Sequence, residues 1–283
     1  MYKKKPFRVC RCQTSSLRIM LQRITPRRLI THMLSGKGAI CALALYIGGT
    51  CAASAADIVQ PDAPPPVTTY GTVAFAGIDG RSQSYYGYVG VIHALNRDLS
   101  TDGFLLRALG IYNEYNYSSN AVVGGNVDGR MTAFDVVLGY QRYFQGFVGR
   151  AYVGVDYESH DLSPNNPFDY NRGTGVGVKV RGELETFYNS PFYASLLTSY
   201  GSAKDRYWAR GRIGRSYRGV IFGPEFELTG NPESDEQRIG AFATFRDPAL
   251  VPFELSVSGG YSNTDENRGG GSAYGTLEMS VAF

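Results

Sequence analysis

The chain has 283 residues, of which 43% are hydrophobic and 13% aromatic, with 35 Gly, 13 Pro, 4 Cys and a formal charge of +3. This length suits one large domain or two modest ones. A mean hydropathy of −0.20 excludes a bundle of transmembrane helices, and 21 tyrosines beside only 5 methionines favour β-structure.

Residues 1–55 have the composition of an export leader. They hold ten Lys and Arg and no Asp or Glu, and an apolar run at 38–49 is followed by Ala53-Ser54-Ala55. A basic stretch, a short apolar core and an A-x-A site form a secretory signal, so we predict cleavage after Ala55. The apolar run has about half of the roughly 20 residues that a membrane helix needs, which disfavours a retained anchor. A true start at Met20 or Met33 would leave a more compact signal, and a basic nucleic-acid-binding arm is the disfavoured alternative.

Cleavage would change the charge and the redox chemistry of the protein. Ten cations leave while all 25 acidic residues stay, so the mature chain of 228 residues carries −7. The four cysteines, Cys10, Cys12, Cys41 and Cys51, all lie in the leader. The mature protein is therefore expected to have no thiol, disulfide or Cys metal site. Residues 56–69 contain a run of prolines and are predicted to form an extended periplasmic tether.

From residue 70 to 283 the sequence consists of short alternating runs separated by Gly, Asn, Asp and Pro. Most of these runs are about 9–15 residues long, as a tilted membrane-spanning strand needs to be, whereas soluble strands average about 5–6. We count twelve, at 70–79, 85–95, 104–117, 131–144, 147–158, 173–187, 192–200, 206–216, 219–229, 237–246, 253–262 and 273–283.

The alternation places charges opposite bulky apolar residues in the middle of the runs. Val176, Val178 and Val180 alternate with Lys179 and Arg181, for example. A soluble sandwich turns its apolar face inward, whereas a membrane barrel turns it toward lipid and keeps a wet, polar interior. The predicted fold class is all-β: an antiparallel transmembrane up-and-down β-barrel of about 12 strands over residues 70–283.

Two local features refine this prediction. Arg107 falls on the same face as Leu105 and Leu109, so we expect a β-bulge there.

If both termini lie in the periplasm, every second connection should be short, and the longer ones at 118–130 and 159–172 should face the cell exterior.

The last run is typical of the closing strand of an outer-membrane barrel. The chain ends on Phe283, and Val281, Met279 and Leu277 occupy the alternate positions before it. Such an apolar strand ending in Phe is read by the barrel-insertion machinery, so we predict that these residues form the insertion signal. The predicted location is the outer membrane of a Gram-negative bacterium.

Charged residues of both signs are predicted to face the lumen. Rows of mixed sign either seal a barrel as a salt-bridge network or line a polar pathway through it. Glu254 and Glu278 are placed inward by the same alternation. The lumen-lining and pathway candidates are Asp135, Asp156, Glu158, Lys179, Arg181, Glu183, Glu185, Arg210, Arg212, Glu225, Glu227 and Arg238.

The aromatic residues and the glycines admit two interpretations each. For most of the aromatic residues we favour an interfacial girdle over stacking on sugar rings; they are Tyr85, Tyr86, Tyr88, Tyr112, Tyr115, Tyr117, Tyr152 and Trp208. Gly173, Gly175 and Gly177 lack the spacing and the following helix of a phosphate loop. We predict instead that they are strand glycines that leave room for lumen side chains.

Little in the sequence indicates catalysis. Ser159, His160 and Asp161 are consecutive and cannot converge as a triad, but His160 on the outer wall near the outer rim leaves open a lipid-modifying barrel enzyme. The loop predicted to follow Asp156 is rich in oxygen ligands up to Asp169 yet lacks EF-hand spacing, so a solvated acidic loop is favoured over a Ca²⁺ site. We expect no catalytic residue, no metal and no cofactor.

Several blocks of the chain resemble the cellulose biosynthesis protein BcsS family. They are Asn96–Arg107, Tyr152–Pro164, Tyr193–Leu197, Phe222–Glu225, Leu228–Asn231 and Asp235–Phe242, within a likeness that runs from about residue 70 to 283. Arg215 departs from the pattern, where an aromatic residue is expected. The resemblance implies a role accessory to a bacterial cellulose synthase at the outer membrane and carries over no catalytic residues.

The leading hypothesis is a non-enzymatic, monomeric outer-membrane barrel that supports cellulose export, with a polar lumen through which a glucan chain slides. Its expected partners are outer-membrane lipid, the cellulose chain and components of the synthase complex, and nucleic acid is not among them. The first alternative is a closed scaffold barrel that binds partners through its loops or tether. The second is the lipid-modifying enzyme that uses His160.

Overall fold

The computed structural model describes residues 69–187, 190–246, 253–264 and 270–283, and within these ranges the chain forms one closed barrel of twelve antiparallel strands. The predicted leader and nearly all of the tether lie outside the described residues. No helix in the described ranges is long and apolar enough to cross a membrane. The strands are β1 (Thr72–Arg81), β2 (Ser84–Ala94), β3 (Gly103–Ser118), β4 (Asn126–Phe144), β5 (Phe147–Ser163), β6 (Gly173–Thr186), β7 (Phe192–Gly201), β8 (Arg206–Tyr217), β9 (Val220–Asn231), β10 (Ser234–Arg246), β11 (Phe253–Thr264) and β12 (Gly271–Ala282).

Each strand pairs with its neighbours in sequence, and β1 closes the barrel by pairing with β12. The backbone N–H groups of Gly71 and Thr72 donate to the carbonyl of Phe283 at 3.2 and 2.9 Å, and the Phe283 N–H donates back to Thr72 at 2.9 Å. Closure leaves no unpaired edge, which lipid could not hydrogen-bond. The predicted fold class is confirmed, and the twelve predicted runs correspond one to one with the observed strands.

The predicted bulge near Arg107 is wrong. β3 pairs with β4 without interruption from Gly103↔Gln141 to Ser118↔Asn126. Leu105 and Arg107 both face the interior, with 0% and 3% of their surfaces exposed. The bulge was predicted on the assumption that charged side chains face the lumen and apolar side chains face lipid. Leu105 faces the lumen because this end of the lumen contains an apolar core.

The outer face of the barrel is a band of exposed apolar side chains, of which Val153 and Val178 are examples. Aromatic residues edge this band at both ends, as in other transmembrane barrels. We call the end that carries Thr72 and Phe283 the terminal end, and the end at the β1–β2 turn the far end. Exposed rings near the terminal end are Phe104, Tyr140, Phe192, Tyr217, Phe222, Phe245 and Phe283, and near the far end Tyr85, Tyr112, Tyr157 and Tyr261.

Strands β3, β4 and β5 project beyond the bilayer at the far end. They have 16, 19 and 17 residues, whereas about 9–11 suffice to cross. The outward-facing Glu114 and Arg130 on the projecting part form an exposed ion pair at 3.6 Å. The strands take up the ends of the predicted long loops at 118–130 and 159–172 and leave connections at 119–125 and 164–172. The expected length contrast between the two ends is weak: the β2–β3 connection has eight residues and the β5–β6 connection nine.

Replacing Val153 with Arg tests the position of the lipid band. Val153 is 57% exposed on the outer face of β5, well inside the band, and a charge there should lower the free energy of unfolding by about 2–4 kcal/mol. Thr132→Arg, on the outer face of β4 near the projecting part, should cost about 0–1 kcal/mol. Urea unfolding in lipid vesicles measures both, and equal losses would contradict the assigned band.

A second prediction concerns the insertion signal. Phe283→Ala keeps the backbone closure but removes an outward ring that is 65% exposed, so we expect a severalfold loss of assembled barrel in the outer membrane. The matched control Phe245→Ala removes another outward ring, 45% exposed, on an internal strand. Heat-modifiable gel mobility of the membrane fraction measures assembly, and the hypothesis fails if both variants assemble alike.

Candidate functional site

The candidate site is the lumen of the barrel. The structure places all twelve predicted lining residues on the inner face, from Asp156, which is 2% exposed, to Glu185, whose side chain is 30% exposed. Side chains on a strand alternate between faces, so residues of one parity share the interior. Leu277, Met279, Val281 and Phe283 lie on the outer face, as an apolar closing strand requires.

Glu278 on β12 is a hub that joins three walls of the lumen. Its carboxylate accepts hydrogen bonds from Arg210 Nη1 at 2.8 Å and Arg212 Nη2 at 2.8 Å, both on β8, and from the Tyr88 hydroxyl on β2 at 2.6 Å. Strands β8 and β12 are four places apart in the barrel, so these ion pairs run across the lumen rather than along its wall. Arg212 also pairs with Glu225 through Nε.

Arg238 on β10 forms a second centre nearer the far end. Its guanidinium contacts Asp79 at 2.7 Å, Glu236 at 2.6 Å and Glu227 at 3.6 Å. It also lies over the Tyr274 ring, 4.9 Å from the centroid. Asp79 belongs to β1, so this cluster links strands that are not neighbours.

A third group of charges lies on the wall made by β3 to β6. Arg107 pairs with Asp135 at 2.9 Å and lies 5.3 Å from the centroid of the Phe75 ring. The remaining pairs on this wall are Lys179–Asp156 at 3.3 Å, Arg181–Glu183 at 2.6 Å, Arg150–Glu183 at 3.4 Å and Arg150–Glu185 at 3.5 Å.

Sequence reasoning missed six charged members of the lumen networks: Asp79, Arg81, Arg107, Arg150, Arg206 and Glu236. Of these, Arg81 pairs with Glu236 at 3.4 Å and Arg206 pairs with Glu158 at 2.7 Å. The alternation could have found Arg150, which has the parity of Tyr152 and Asp156, and Arg206, which has the parity of Arg210. Arg81 was missed because the predicted run at 70–79 ended two residues too soon, and Glu236 because the run at 237–246 began one residue too late. The ends of strands are the least certain part of a pattern.

The terminal end of the lumen is closed by apolar packing. Ala94, Leu105, Val137 and Tyr152 form a buried cluster, against which Ile92 and Leu99 also pack. Leu99 belongs to the β2–β3 connection, which is folded inward. Its carbonyl accepts hydrogen bonds from Gln141 Nε2 at 3.1 Å and the Tyr143 hydroxyl at 2.6 Å.

The same connection is ordered by its own polar contacts. The hydroxyl of Ser100 and its backbone N–H donate to Asp98 Oδ1 at 2.6 and 2.8 Å, which lowers the pKa of Asp98. The Leu99 N–H donates to the carbonyl of Tyr70 at 2.9 Å. The β2–β3 connection is therefore an ordered part of the terminal end of the lumen. We call this connection and the apolar cluster beneath the lumen the floor.

Above this floor, a cavity of about 310 Å³ reaches the far rim, and we call it the vestibule. Its lining runs from Ser84 and Asn116 at the rim down to Phe75, Arg107 and Glu278. Leu105, Val137 and Tyr152 are not part of the lining, so the vestibule ends above the apolar floor. A groove of about 410 Å³ adjoins it at the β1–β2 turn and the projecting strands β3 and β4, and shares Arg81, Ser84, Tyr115 and Asn116 with it.

The girdle interpretation is wrong for most of the aromatic residues. Tyr85 and Tyr112 face outward, 53% and 43% exposed, but six of the eight have inward parity: Tyr86, Tyr88, Tyr115, Tyr117, Tyr152 and Trp208. Three of these rings lie against glycines of the adjacent strand. A Cβ on Gly77 would come within 2.5 Å of the Tyr88 ring, one on Gly129 within 2.3 Å of the Tyr115 ring, and one on Gly139 within 2.2 Å of the Tyr152 ring. Glycine thus lets the rings lie close to the wall.

Gly173, Gly175 and Gly177 are strand residues of β6, as predicted. The β7–β8 turn packs onto the inner side of two of them. A Cβ would lie 2.3 Å from the Ala203 carbonyl oxygen at Gly175 and 2.4 Å from the Ala203 nitrogen at Gly177. These glycines therefore make room for protein backbone rather than for a phosphate.

His160 lies neither in a loop nor on the outer wall, where the lipid-modifying enzyme would need it. It lies in β5, faces the interior and is 3% exposed, because it shares parity with Asp156 and Glu158. Its Nε2 lies 2.7 Å from a Glu158 carboxylate oxygen, to which Arg206 also donates at 2.7 Å, and the Tyr115 hydroxyl bonds its Nδ1 at 2.7 Å. A histidine enclosed in this position does not contact membrane lipid. The position of His160 therefore gives no support to a lipid-modifying enzyme.

The β5–β6 connection extends over the far mouth. Asn171 Nδ2 donates to Glu233 Oε2 at 3.1 Å, and the Tyr170 hydroxyl donates to Asp205 at 2.7 Å. On the other side, the Tyr117 hydroxyl donates to Asp169. The acidic residues near this loop are thus engaged with the protein, and among the described residues no group of three or more His, Cys, Asp and Glu could hold a metal ion.

Comparison with known protein families assigns the chain to a family. A family model for "Cellulose biosynthesis protein BcsS" matches residues 73–283, three-quarters of the sequence and almost all of the barrel. The chain belongs to the BcsS family. The comparison with curated proteins found no match.

Solved structures similar to this BcsS-family chain are outer-membrane proteins. The COG4313 outer membrane channel from Pseudomonas putida F1 is 13% identical, with a TM-score of 0.51 over 80% of this chain and 100% of that one. The KdgM porin is 10% identical (TM-score 0.41; 75% and 99%), and LpxR from Salmonella typhimurium is 12% identical (TM-score 0.44; 75% and 100%). At these identities the likeness to the channel shows the fold alone, a closed outer-membrane-type barrel.

Replacing Glu278 tests whether the hub holds the barrel together. Glu278→Gln leaves the guanidinium groups of Arg210 and Arg212 short of a buried counter-charge, and we expect a loss of about 3–5 kcal/mol in the free energy of unfolding. Glu114→Gln, which removes one partner of an exposed pair with Arg130, should cost less than about 1 kcal/mol. Urea unfolding in vesicles distinguishes the two, and similar values would refute the hub.

Proposed function

We propose that this BcsS-family protein is a non-enzymatic outer-membrane barrel that conducts no ions and supports cellulose biosynthesis as a closed scaffold. The observation that carries the proposal is the Glu278 hub, whose ion pairs join β8 and β12 across the lumen. The floor formed by Leu99 and the apolar cluster supports it independently at the terminal end. Family membership supports the link to cellulose.

The orientation follows from the general rule for such barrels, in which an even number of strands leaves both termini in the periplasm. The floor then faces the periplasm, and the vestibule and the projecting strands β3–β5 face the cell exterior. In this orientation the protein would contact a secreted glucan from outside and synthase components through its periplasmic side. We take the barrel as a monomer in lipid, since every described strand pairs with a neighbour on both sides within one chain.

One observation favours the alternative role of a glucan conduit: the wall above the floor is polar and mixed in charge. Passage of a chain would, however, require the β2–β3 connection to leave the lumen and the pairs of Glu278 to separate. Breaking a buried pair costs several kcal/mol. The closed scaffold is therefore the better description of this arrangement.

Planar-bilayer recording of the purified barrel tests the proposal. We expect no steady conductance from the wild-type protein. A variant with Leu99→Asp and Leu105→Asp places two like charges in the apolar floor and should give measurable ion flow, because repulsion and hydration open it. Steady wild-type conductance would overturn the closed scaffold and favour the conduit.

The cellulose role is tested in the cell. Deleting the gene should reduce cellulose at the cell surface, and the wild-type gene should restore it. A His160→Ala gene should restore cellulose to the same level and leave the lipid profile unchanged, since we assign this histidine no chemistry. Unchanged cellulose on deletion would overturn the accessory role, and altered lipids with His160→Ala would overturn the non-enzymatic assignment.

A further inference from the structure

The vestibule has the features of a built binding site for a neutral polyhydroxylated ligand. It is a cavity of about 310 Å³, at the lower end of the range of small-molecule sites, which is about 300–1,000 Å³. It continues into the groove of about 410 Å³ over the rim. Because the β1–β2 turn is short while β3 and β4 project, the rim is low at this point and a chain could leave the vestibule sideways through the groove.

The charges of the vestibule indicate that its ligand is neutral. Every cation in its lining already holds a carboxylate within 4 Å, so an anionic ligand would have to displace a buried partner, which is costly. An added cation would meet the same paired groups. The seven pairs are Arg81–Glu236, Arg107–Asp135, Lys179–Asp156, Arg181–Glu183, Arg206–Glu158, Arg210–Glu278 and Arg238–Asp79.

Three buried polar atoms in the lining have no hydrogen-bond partner within the described part of the chain. They are Asn171 Oδ1 near the mouth, on a residue that is 2% exposed, and the Nε atoms of Arg206 and Arg210 deeper in. The first is an acceptor and the other two are donors. Buried polar groups are normally satisfied, so such atoms call for an explanation. Protein atoms cover all three, so a ligand hydroxyl, which both donates and accepts, reaches them only if these side chains turn toward the cavity.

Aromatic surfaces complete the set of groups that suit a sugar. Tyr86 on β2 and Trp208 on β8 both line the vestibule. Their strands are six places apart in a ring of twelve, so they stand on opposite walls. The Tyr86 hydroxyl makes no hydrogen bond to the described residues and remains available inside the cavity. The guanidinium groups of Arg181 and Arg210 already lie over the Trp208 ring, 5.5 and 5.4 Å from its centroid. Tyr86 on the opposite wall is therefore the ring against which the flat C–H face of a pyranose ring packs.

We infer that the vestibule binds the end of a neutral β-glucan chain, one or two sugar units deep, and that the groove carries the chain away over the rim. The closed floor makes this a site for a chain end rather than for a threaded chain. The choice of glucan among neutral polyhydroxylated polymers rests on the proposed function. The site itself rests on the cavity, the paired charges and the inward ring of Tyr86.

The chain supplies its own reporter for this inference, because Trp208 is its only tryptophan. The full-length mature protein, folded in detergent, is titrated with cellotetraose while the Trp208 emission is followed. We expect a saturable change in emission. Tetra-galacturonic acid, a chain of similar size that carries carboxylates, should bind at least tenfold more weakly. Equal or tighter binding of the charged oligosaccharide would overturn the neutral site, and the absence of saturation, checked by calorimetry, would overturn the site altogether.

Matched variants locate the site. Tyr86→Ala should weaken cellotetraose binding at least tenfold, whereas Tyr112→Ala, which removes a lipid-side ring that lines neither the vestibule nor the groove, should leave it within twofold. Asn171→Ala lies in a connection outside the barrel wall and should weaken binding severalfold even if Tyr86→Ala fails to assemble. Equal binding by the Asn171 variant and the wild type would place the ligand elsewhere.

The outcome is separable from that of the proposed function. If the wild-type protein neither conducts ions nor binds cellotetraose, the closed scaffold stands and the vestibule site is refuted. If it conducts ions and still shows saturable, Tyr86-dependent binding, the closed scaffold is refuted and the vestibule site stands.

Discussion

The structure depends on how charged side chains are paired inside a barrel whose outer face must be apolar. A strand that alternates between lipid and lumen sends every charge to the same side. A lumen this crowded removes those charges from bulk water, and an unpaired buried charge is very costly. Glu278 shows the solution: a single carboxylate on β12 satisfies Arg210 and Arg212 from β8 and the hydroxyl of Tyr88 from β2.

Pairing across the lumen has a consequence for function. Pairs between neighbouring strands, such as Arg107 with Asp135, would leave the centre of a barrel open. Pairs between strands that are not neighbours, such as Arg238 on β10 with Asp79 on β1, reach into the lumen and tie separate parts of the wall together. The same interaction that solves the electrostatic problem therefore divides the lumen, with a packed terminal end beneath and a vestibule above.

The apolar floor adds a second, different kind of closure. Leu99 and Leu105 pack with Tyr152 by burial of apolar surface, which does not depend on ionic strength or on pairing geometry. Such a floor explains why Leu105 points inward from a strand whose other side faces lipid. It also explains why the vestibule opens at one end only, toward the projecting strands β3–β5.

Most of the architecture could be predicted from the alternation of residues along each strand. Run lengths and the parity of Val176, Lys179 and Arg181 were sufficient for a twelve-stranded membrane barrel, because period-two alternation is a local property and membrane thickness sets strand length. The inward position of the twelve candidate charges followed from the same parity. The closing strand ending at Phe283 could be recognised for the same local reason.

The tertiary structure alone decided what the inward residues do to each other. Parity assigns a face but not a partner. The meeting of Arg212 with Glu278, 66 residues away, depends on the curvature and closure of the whole barrel. The same holds for His160, whose enclosure by Tyr115 and Glu158 no local pattern revealed, and for Leu105, whose apolar partners come from three other strands and a connection. The sequence by itself determined a membrane barrel with a charged interior, and only the closed ring of strands determined that this interior is sealed below and open above.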